Sequence, residues 1–235
     1  MRINVTDLQD FYLSNHGRMA KKTIQFEVRS FWPNVTGMTI IGIGFAIPYL
    51  YPLMKEANST IAVMPALQGA TNWPPRMNSL CTLTDDTELP FSDMSVDLVL
   101  FAHILENINS ASPLLREVWR ILKGDGKILV IVPNRRGIWA QIDRTPLGYG
   151  QPYSPRQLSK LLCENMFTPT KESTVLFTPP INSRLLSSSS TVIEKIGSRV
   201  FKHFGGVILA EAEKQLYAGQ ESASPAKHRY SIAME

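Results

Sequence analysis

Apolar positions recur along this chain in two rhythms. Val96 to Phe101 is an almost unbroken aliphatic run, the pattern of a strand covered on both faces. Leu114, Leu115, Val118, Ile121 and Leu122 follow at helical spacing and predict a helix with one apolar stripe. Lys127 to Asn134 is a second aliphatic run. Between them, Gly124 and Gly126 are predicted to end the helix and turn the chain, because glycine accepts positive φ without a Cβ clash. Strand, helix, strand at this spacing predicts one right-handed crossover between parallel strands.

The same reading extends to both sides. Thr6-Asp7-Leu8-Gln9 has the form of a capping box and predicts a first helix to about Leu13. A second helix is predicted over Arg18 to Phe31. It has a basic face (Arg18, Lys21, Lys22, Arg29) and apolar Met19, Phe26, Val28 and Phe31. Thr39 to Ile43 predicts a strand, Gly42-Ile43-Gly44 a tight turn, and Ala46 to Ala57 a helix. Ser59 to Met64 and Ser79 to Leu83 predict two more strands. Pro133 to Pro155 is irregular, and Trp139, Tyr149 and Tyr153 alternate there with charges, glycines and prolines. A loop of that length suits a lid. Ser154-Pro155-Arg156-Gln157 opens a helix to about Asn165. Thr174 to Thr178 predicts a sixth strand, Asn182 to His203 a mostly helical segment, and Gly206 to Lys214 an antiparallel seventh strand.

The expected architecture is therefore one α/β domain over residues 1–219, with a seven-stranded, mostly parallel sheet whose last strand is antiparallel. Two extra helices within residues 1–33 form a cap, and residues 220–235 are a polar, disordered tail.

Composition narrows this only a little. The 235 residues are 44% hydrophobic, ordinary for a globular protein, and carry a net charge of +4 with a pI near 9.1. That charge permits an acidic partner without requiring one. Cys81 and Cys163 lack metal-ligand spacing and read as reduced thiols, which suits a cytoplasmic protein. No metal site is expected. Val35 to Met54 has no charged residue and nearly the length of a membrane span, but Gly37, Gly42, Gly44, Pro48 and Pro52 break it. A strand, loop and buried helix explain it better, and no membrane partner is expected.

Candidate chemistry comes from a family resemblance. Glu88-Leu89-Pro90-Phe91 precedes the strand opened by Asp97. His103-Ile104-Leu105-Glu106 follows that strand, and Leu115-Arg116-Glu117-Val118-Trp119-Arg120-Ile121-Leu122-Lys123-Gly124-Asp125-Gly126 precedes the next. In this order the segments resemble the class I S-adenosylmethionine-dependent methyltransferases, type 11 group. The resemblance implies a Rossmann-like sheet, S-adenosylmethionine as cofactor, and an unidentified methyl acceptor. It assigns cofactor contacts to Gly42, Ile43, Gly44, Met64, Asp85, Asp86 and His103. Asp85 stands where the family's carboxylate meets the adenine amine. The chain departs from the family at three places: Ile40 and Met64 replace usual acidic residues, and Ala46 replaces the third glycine. Gln68 is the nearest polar substitute at the second site, and Trp73 is either an adenine cover or part of a rigid turn. His103, Tyr149 and Tyr153 are the catalytic candidates, with Glu106 placed to orient His103. Two other readings stay open. One is a non-catalytic relative that uses the fold as a binding module. The other is an RNA methyltransferase using the basic second helix and Arg135-Arg136, although no RNA-binding motif accompanies them.

Overall fold

The computed structural model of the chain describes residues 3–85, 88–142, 145–180 and 204–216. Two helices lead: α1 (Val5–Leu13) and α2 (Asn15–Phe31). The sheet strands are β1 (Thr39–Gly44), β2 (Ser59–Pro65), β3 (Cys81–Thr84), β4 (Val96–Ala102), β5 (Leu122–Pro133), β6 (Phe167–Val175) and β7 (Val207–Lys214). Helices α3 (Ile47–Leu50), α4 (Ser112–Ile121) and α5 (Pro155–Glu164) connect them. The strands lie in the order β3-β2-β1-β4-β5-β7-β6. The β1, β2, β3, β4 and β5 neighbours pair in parallel, while β7 runs antiparallel to both β5 and β6. The sheet expected from the sequence is therefore present, with its antiparallel last strand.

Two apolar layers sandwich the sheet. Ile41, Ile43, Val99, Phe101, Ile128 and Val130 face α4 and α5, whose Leu114, Leu115, Val118, Leu158 and Leu162 are buried against them. On the other face Ile40, Leu98, Leu100 and Leu129 meet Ala20, Ile24 and Val28 of α2. Burying each large aliphatic side chain stabilises the fold by about 1.5–3 kcal/mol. The expectation of an apolar α2 face holds at Val28 and Phe31, but Phe26 is 78% exposed. Gly17, Ala20 and Ile24 complete the buried stripe instead.

Several element ends differ from the expectation. Asn4, not Thr6, caps α1, its Oδ1 accepting from Thr6 N at 3.1 Å. Ser14 caps α2 and starts it three residues before Arg18. Helix α3 stops at Leu50, well short of Ala57, and the chain continues in turns. Pro52 has no N–H to give the Pro48 carbonyl, and Gln25 Nε2 donates to that carbonyl at 2.6 Å instead. Helix α4 ends in extended backbone at Leu122, and Gly124 and Gly126 lie inside β5 rather than in a glycine cap. The register between β4 and β5 shifts there, so Lys123 to Gly126 form a bulge, with Lys123 Nζ donating to Asp97 at 2.7 Å. The sixth strand begins at Phe167, seven residues before Thr174. The helix expected over Asn182 to His203 and the tail lie outside the described residues.

The uncharged stretch from Val35 to Met54 forms β1, a turn and α3, and no described helix is long and apolar enough to cross a membrane.

Candidate active site

Open parallel sheets gather ligands beyond the carboxyl ends of their strands. Here those ends carry Gly44 on β1, Pro65 on β2, Thr84 on β3 and Ala102 on β4. Gly44 has φ +80°, and a Cβ there would stand 2.3 Å from the Ala102 carbonyl oxygen. Its bare backbone lets the ends of β1 and β4 approach each other. A Cβ on Gly42 would meet Leu50 and Ala46 side chains at 2.5 and 2.7 Å, so this glycine makes room for α3. Ile43 is buried in the α4 layer. The three turn residues therefore shape the floor of the site, and the space beside both glycines is filled by the chain itself.

His103 follows Ala102 with φ +54°, a left-handed conformation that costs a residue with Cβ about 1–3 kcal/mol. Two side-chain amides hold it there: Gln68 Nε2 at 3.2 Å and Asn107 Nδ2 at 3.4 Å donate to the His103 carbonyl. The turn carries the imidazole inward, where only 3% of the residue is exposed. Its Nε2 lies 2.7 Å from the Tyr12 hydroxyl, which lies 2.5 Å from the Tyr49 hydroxyl. Its Nδ1 faces Glu106 Oε1 at 3.6 Å. A neutral imidazole protonated at Nδ1 is one arrangement that fits both short hydrogen bonds. Tyr49 donates to Tyr12, Tyr12 donates to His103 Nε2, and the Nδ1 proton points at Glu106.

Glu106 is the unusual member. It is 2% exposed, and neither carboxylate oxygen has a hydrogen-bond partner. A buried carboxylate in that state is costly unless a positive group faces it. Gln68 Oε1 and His103 Nδ1 are also buried without a hydrogen-bond partner. The floor thus holds carboxylate and amide oxygens of Glu106 and Gln68 that are buried without a hydrogen-bond partner. Burial pushes the Tyr12 and Tyr49 phenols well above the ordinary tyrosine range, and the nearby Glu106 charge adds to the effect.

The remaining expected site residues are scattered by comparison. Met64 is fully buried in the layer under α1, and Trp73 packs into the same layer at 3% exposure rather than forming an open cover. Asp85 is exposed on the loop after β3, and Asp86 lies outside the described residues. Tyr149 is half exposed. Tyr153 is half-buried, donates from its hydroxyl to the Leu105 carbonyl at 3.2 Å, and is tied into a bridge with Asn134. The Tyr153 phenol is raised by burial and by Glu106. The segment between them crosses directly over Glu106, since Gln151 N donates to its carbonyl at 2.8 Å. Trp139 is not a mobile cover: it is fully buried and donates to the Thr178 carbonyl at 2.9 Å. Sequence reasoning missed Tyr12 and Tyr49. Their only local signal was a polar-tipped ring on an otherwise apolar helix face. Among the described residues no group of His, Cys, Asp and Glu could hold a metal ion. A groove of about 260 Å³ beside Trp32, Asp97 and Glu211 lies at the opposite ends of the strands, away from this cluster.

A family model described as a methyltransferase domain matches residues 55–130. An uncharacterized protein of Methanocaldococcus jannaschii is 27% identical over 189 residues, covering 77% of this chain and 81% of that one. A ubiquinone/menaquinone biosynthesis C-methyltransferase of Desulfotalea psychrophila is 31% identical over 77 residues, about a third of either chain (32% and 31%). A solved S-adenosylmethionine-dependent methyltransferase of Thermotoga maritima, a possible histamine N-methyltransferase, superposes with TM-score 0.63 and 17% identity, covering 90% of this chain and 96% of its own. The matched segment includes β4, α4 and most of β5, the elements that carry the motifs, and the shared fold spans nearly the whole chain. Residues 55–130 thus match a methyltransferase domain, and over nearly the whole chain the fold is that of solved S-adenosylmethionine-dependent methyltransferases.

Proposed function

We propose that the chain transfers a methyl group from S-adenosylmethionine to an acceptor held over the carboxyl ends of β1 and β4, with His103 and Glu106 at the reacting end. The observation that carries this reading is the buried Glu106 carboxylate, without a hydrogen-bond partner and 3.6 Å from His103 Nδ1. When bound, the cofactor supplies an activated methyl on a positive sulfur. The resemblance assigns Gly42, Ile43, Gly44, Met64, Asp85, Asp86 and His103 to hold it. The turn would contribute only backbone, because the space beside Gly42 and Gly44 is filled by Leu50, Ala46 and the Ala102 carbonyl, and the Met64 side chain is buried in the core. Glu106 keeps His103 oriented and steadies positive charge beside it. The segment from Arg135 to Tyr153 covers the acceptor side and excludes water, with Tyr153 and the Gln151 backbone beside Glu106. We place the protein in the cytoplasm, where the free thiols of Cys81 and Cys163 stay reduced.

The test is calorimetry with S-adenosylhomocysteine, followed by mass detection of methylated products in extracts supplied with methyl-labelled S-adenosylmethionine. Heat of binding and a labelled product are the expected results. A second reading, a non-catalytic relative, is favoured by Ile40 and Met64, both fully buried apolar residues where the family has acids. Absence of heat at millimolar ligand would establish that reading.

A further inference from the structure

Tyr12 places a phenol where a substrate would be expected. Its oxygen sits 2.7 Å from His103 Nε2, and its ring lies among aromatic neighbours. Phe45 stacks on it at 5.7 Å and 21°, while Phe11 and Tyr49 meet it edge-on at 5.1 and 6.0 Å. Three rings, an imidazole and a carboxylate behind that imidazole form a seat for an aromatic hydroxyl. Residue 12 belongs to α1, which packs on the rest of the domain through buried Val5 and Leu8 and is also held by polar ties. Val5 N donates to the Gln68 carbonyl at 2.9 Å, and Gln9 Nε2 donates to Thr71 Oγ1 at 2.7 Å.

We infer that the methyl acceptor is a small phenol that takes the place of the Tyr12 side chain against His103, with His103 as general base and Glu106 as its counter-charge. The inference rests on the methyl-transfer reading and names its substrate class. The phenol oxygen uses a lone pair to form a new O–C bond to the methyl carbon. The S–C bond breaks and its electron pair returns to sulfur. The phenol proton passes to His103 Nε2, and Glu106 stabilises the resulting imidazolium. A neutral amine acceptor attacks with a free lone pair and needs no base beforehand. A phenol in this dry aromatic seat keeps its proton, as Tyr12 and Tyr49 do, and therefore requires a base at hydrogen-bond distance.

The probe is 4-nitrophenol, whose absorbance changes when its hydroxyl is deprotonated, added to the full chain saturated with S-adenosylhomocysteine. The expected result is a neutral-phenol band at a pH where free probe is mostly ionised. That band should be lost in His103→Gln and Glu106→Gln. Tyr12→Phe loses the competing hydrogen bond, so the probe should bind about tenfold tighter. Tyr12→Ala should do the same if it folds, and Tyr12→Phe decides the matter if it does not. With methyl-labelled cofactor, methylation of simple phenols should be lost in His103→Gln, whereas that of matched anilines, which need no base, should not depend on His103. Heat of S-adenosylhomocysteine binding without probe binding to wild type or Tyr12→Phe would overturn the phenol assignment and leave methyl transfer standing. Phenol methylation unchanged in His103→Gln would overturn it too. No heat with S-adenosylhomocysteine would overturn both.

Discussion

Tyr12 and His103 stand 91 residues apart in the chain and share a 2.7 Å hydrogen bond in the interior. One comes from a terminal helix, the other from the turn that ends a central strand. Their contact joins the cap to the sheet and completes a line of four buried titratable groups.

Glu106→Gln should separate stability from function. The native carboxylate is buried and makes no hydrogen bond, so replacing it by a neutral amide removes a desolvation cost. Urea midpoints should stay level or rise, by about 1 kcal/mol in stability at most. Methyl transfer should fall by about 10²-fold or more, the scale of losing a positioned acid–base group. A large loss of stability would mean that the carboxylate has partners in the native protein.

Gly44→Ala should unfold the sheet end rather than merely close a ligand site. The new methyl would lie 2.3 Å from a backbone oxygen at φ +80°, where neither the backbone nor the carbonyl can easily yield. A loss of about 2–4 kcal/mol is expected from clash and conformation together. Gly42→Val should also destabilise, since its Cβ meets Leu50 and Ala46. Chemical denaturation measures both. A Gly44→Ala variant of native stability that merely fails to bind cofactor would contradict the geometry.

Among the described residues, Tyr12, Tyr49 and Tyr153 have phenols raised above the ordinary value of 10.0. The folded chain therefore holds their protons at pH values where the unfolded chain releases them. The stability they contribute is complete below pH 10.0 and is lost as pH rises above it, towards the folded values. Spectrophotometric titration should show these three phenols ionising at higher pH in the folded chain than after unfolding. Tyr12→Phe together with Tyr49→Phe should flatten the alkaline limb of the stability curve.

Arg120 ties α4 to the loop before β4. It forks onto Glu117 at 2.8 and 3.0 Å, reaches Asp93 at 2.6 Å, and donates to the Leu89 and Phe91 carbonyls. Its hydrogen bond holds the Glu117 carboxyl below the ordinary value of 4.5. A lowered carboxyl contributes stability that is present above 4.5 and is lost as pH falls through the folded value. Arg120→Met should cost about 1–3 kcal/mol at neutral pH and weaken the acid-side slope. An unchanged acid limb in thermal melts would show that the pair is screened by solvent.

The sequence by itself determined what local periodicity can carry. The aliphatic run at β4, the stripe of α4 and the alternation of strands and helices follow from the apolar surface that each segment must bury. These patterns act over a few residues, and they were enough to give the sheet, its crossover and its antiparallel last strand. His103 was legible too, because the residue after a central parallel strand lies where ligands gather. Asp85 was legible only as a position in a motif, and the structure leaves it on an exposed loop.

The tertiary structure alone decided the partners of His103. Tyr12 is an ordinary apolar-face ring on its own helix, and Tyr49 follows a proline in a short turn of helix. Nothing within reach of either in sequence shows that their hydroxyls meet an imidazole. The roles of Gly42 and Gly44 were hidden for the same reason. A sequence shows that a side chain is missing but not which atom fills the space, and here Leu50 and the Ala102 carbonyl fill it. Bulges and helix ends, such as Lys123 to Gly126 and Pro52, depended on which neighbouring strand or side chain took the unpaired backbone groups. Those choices are settled by long-range packing, where contacts between distant segments outweigh the small local preferences of the chain.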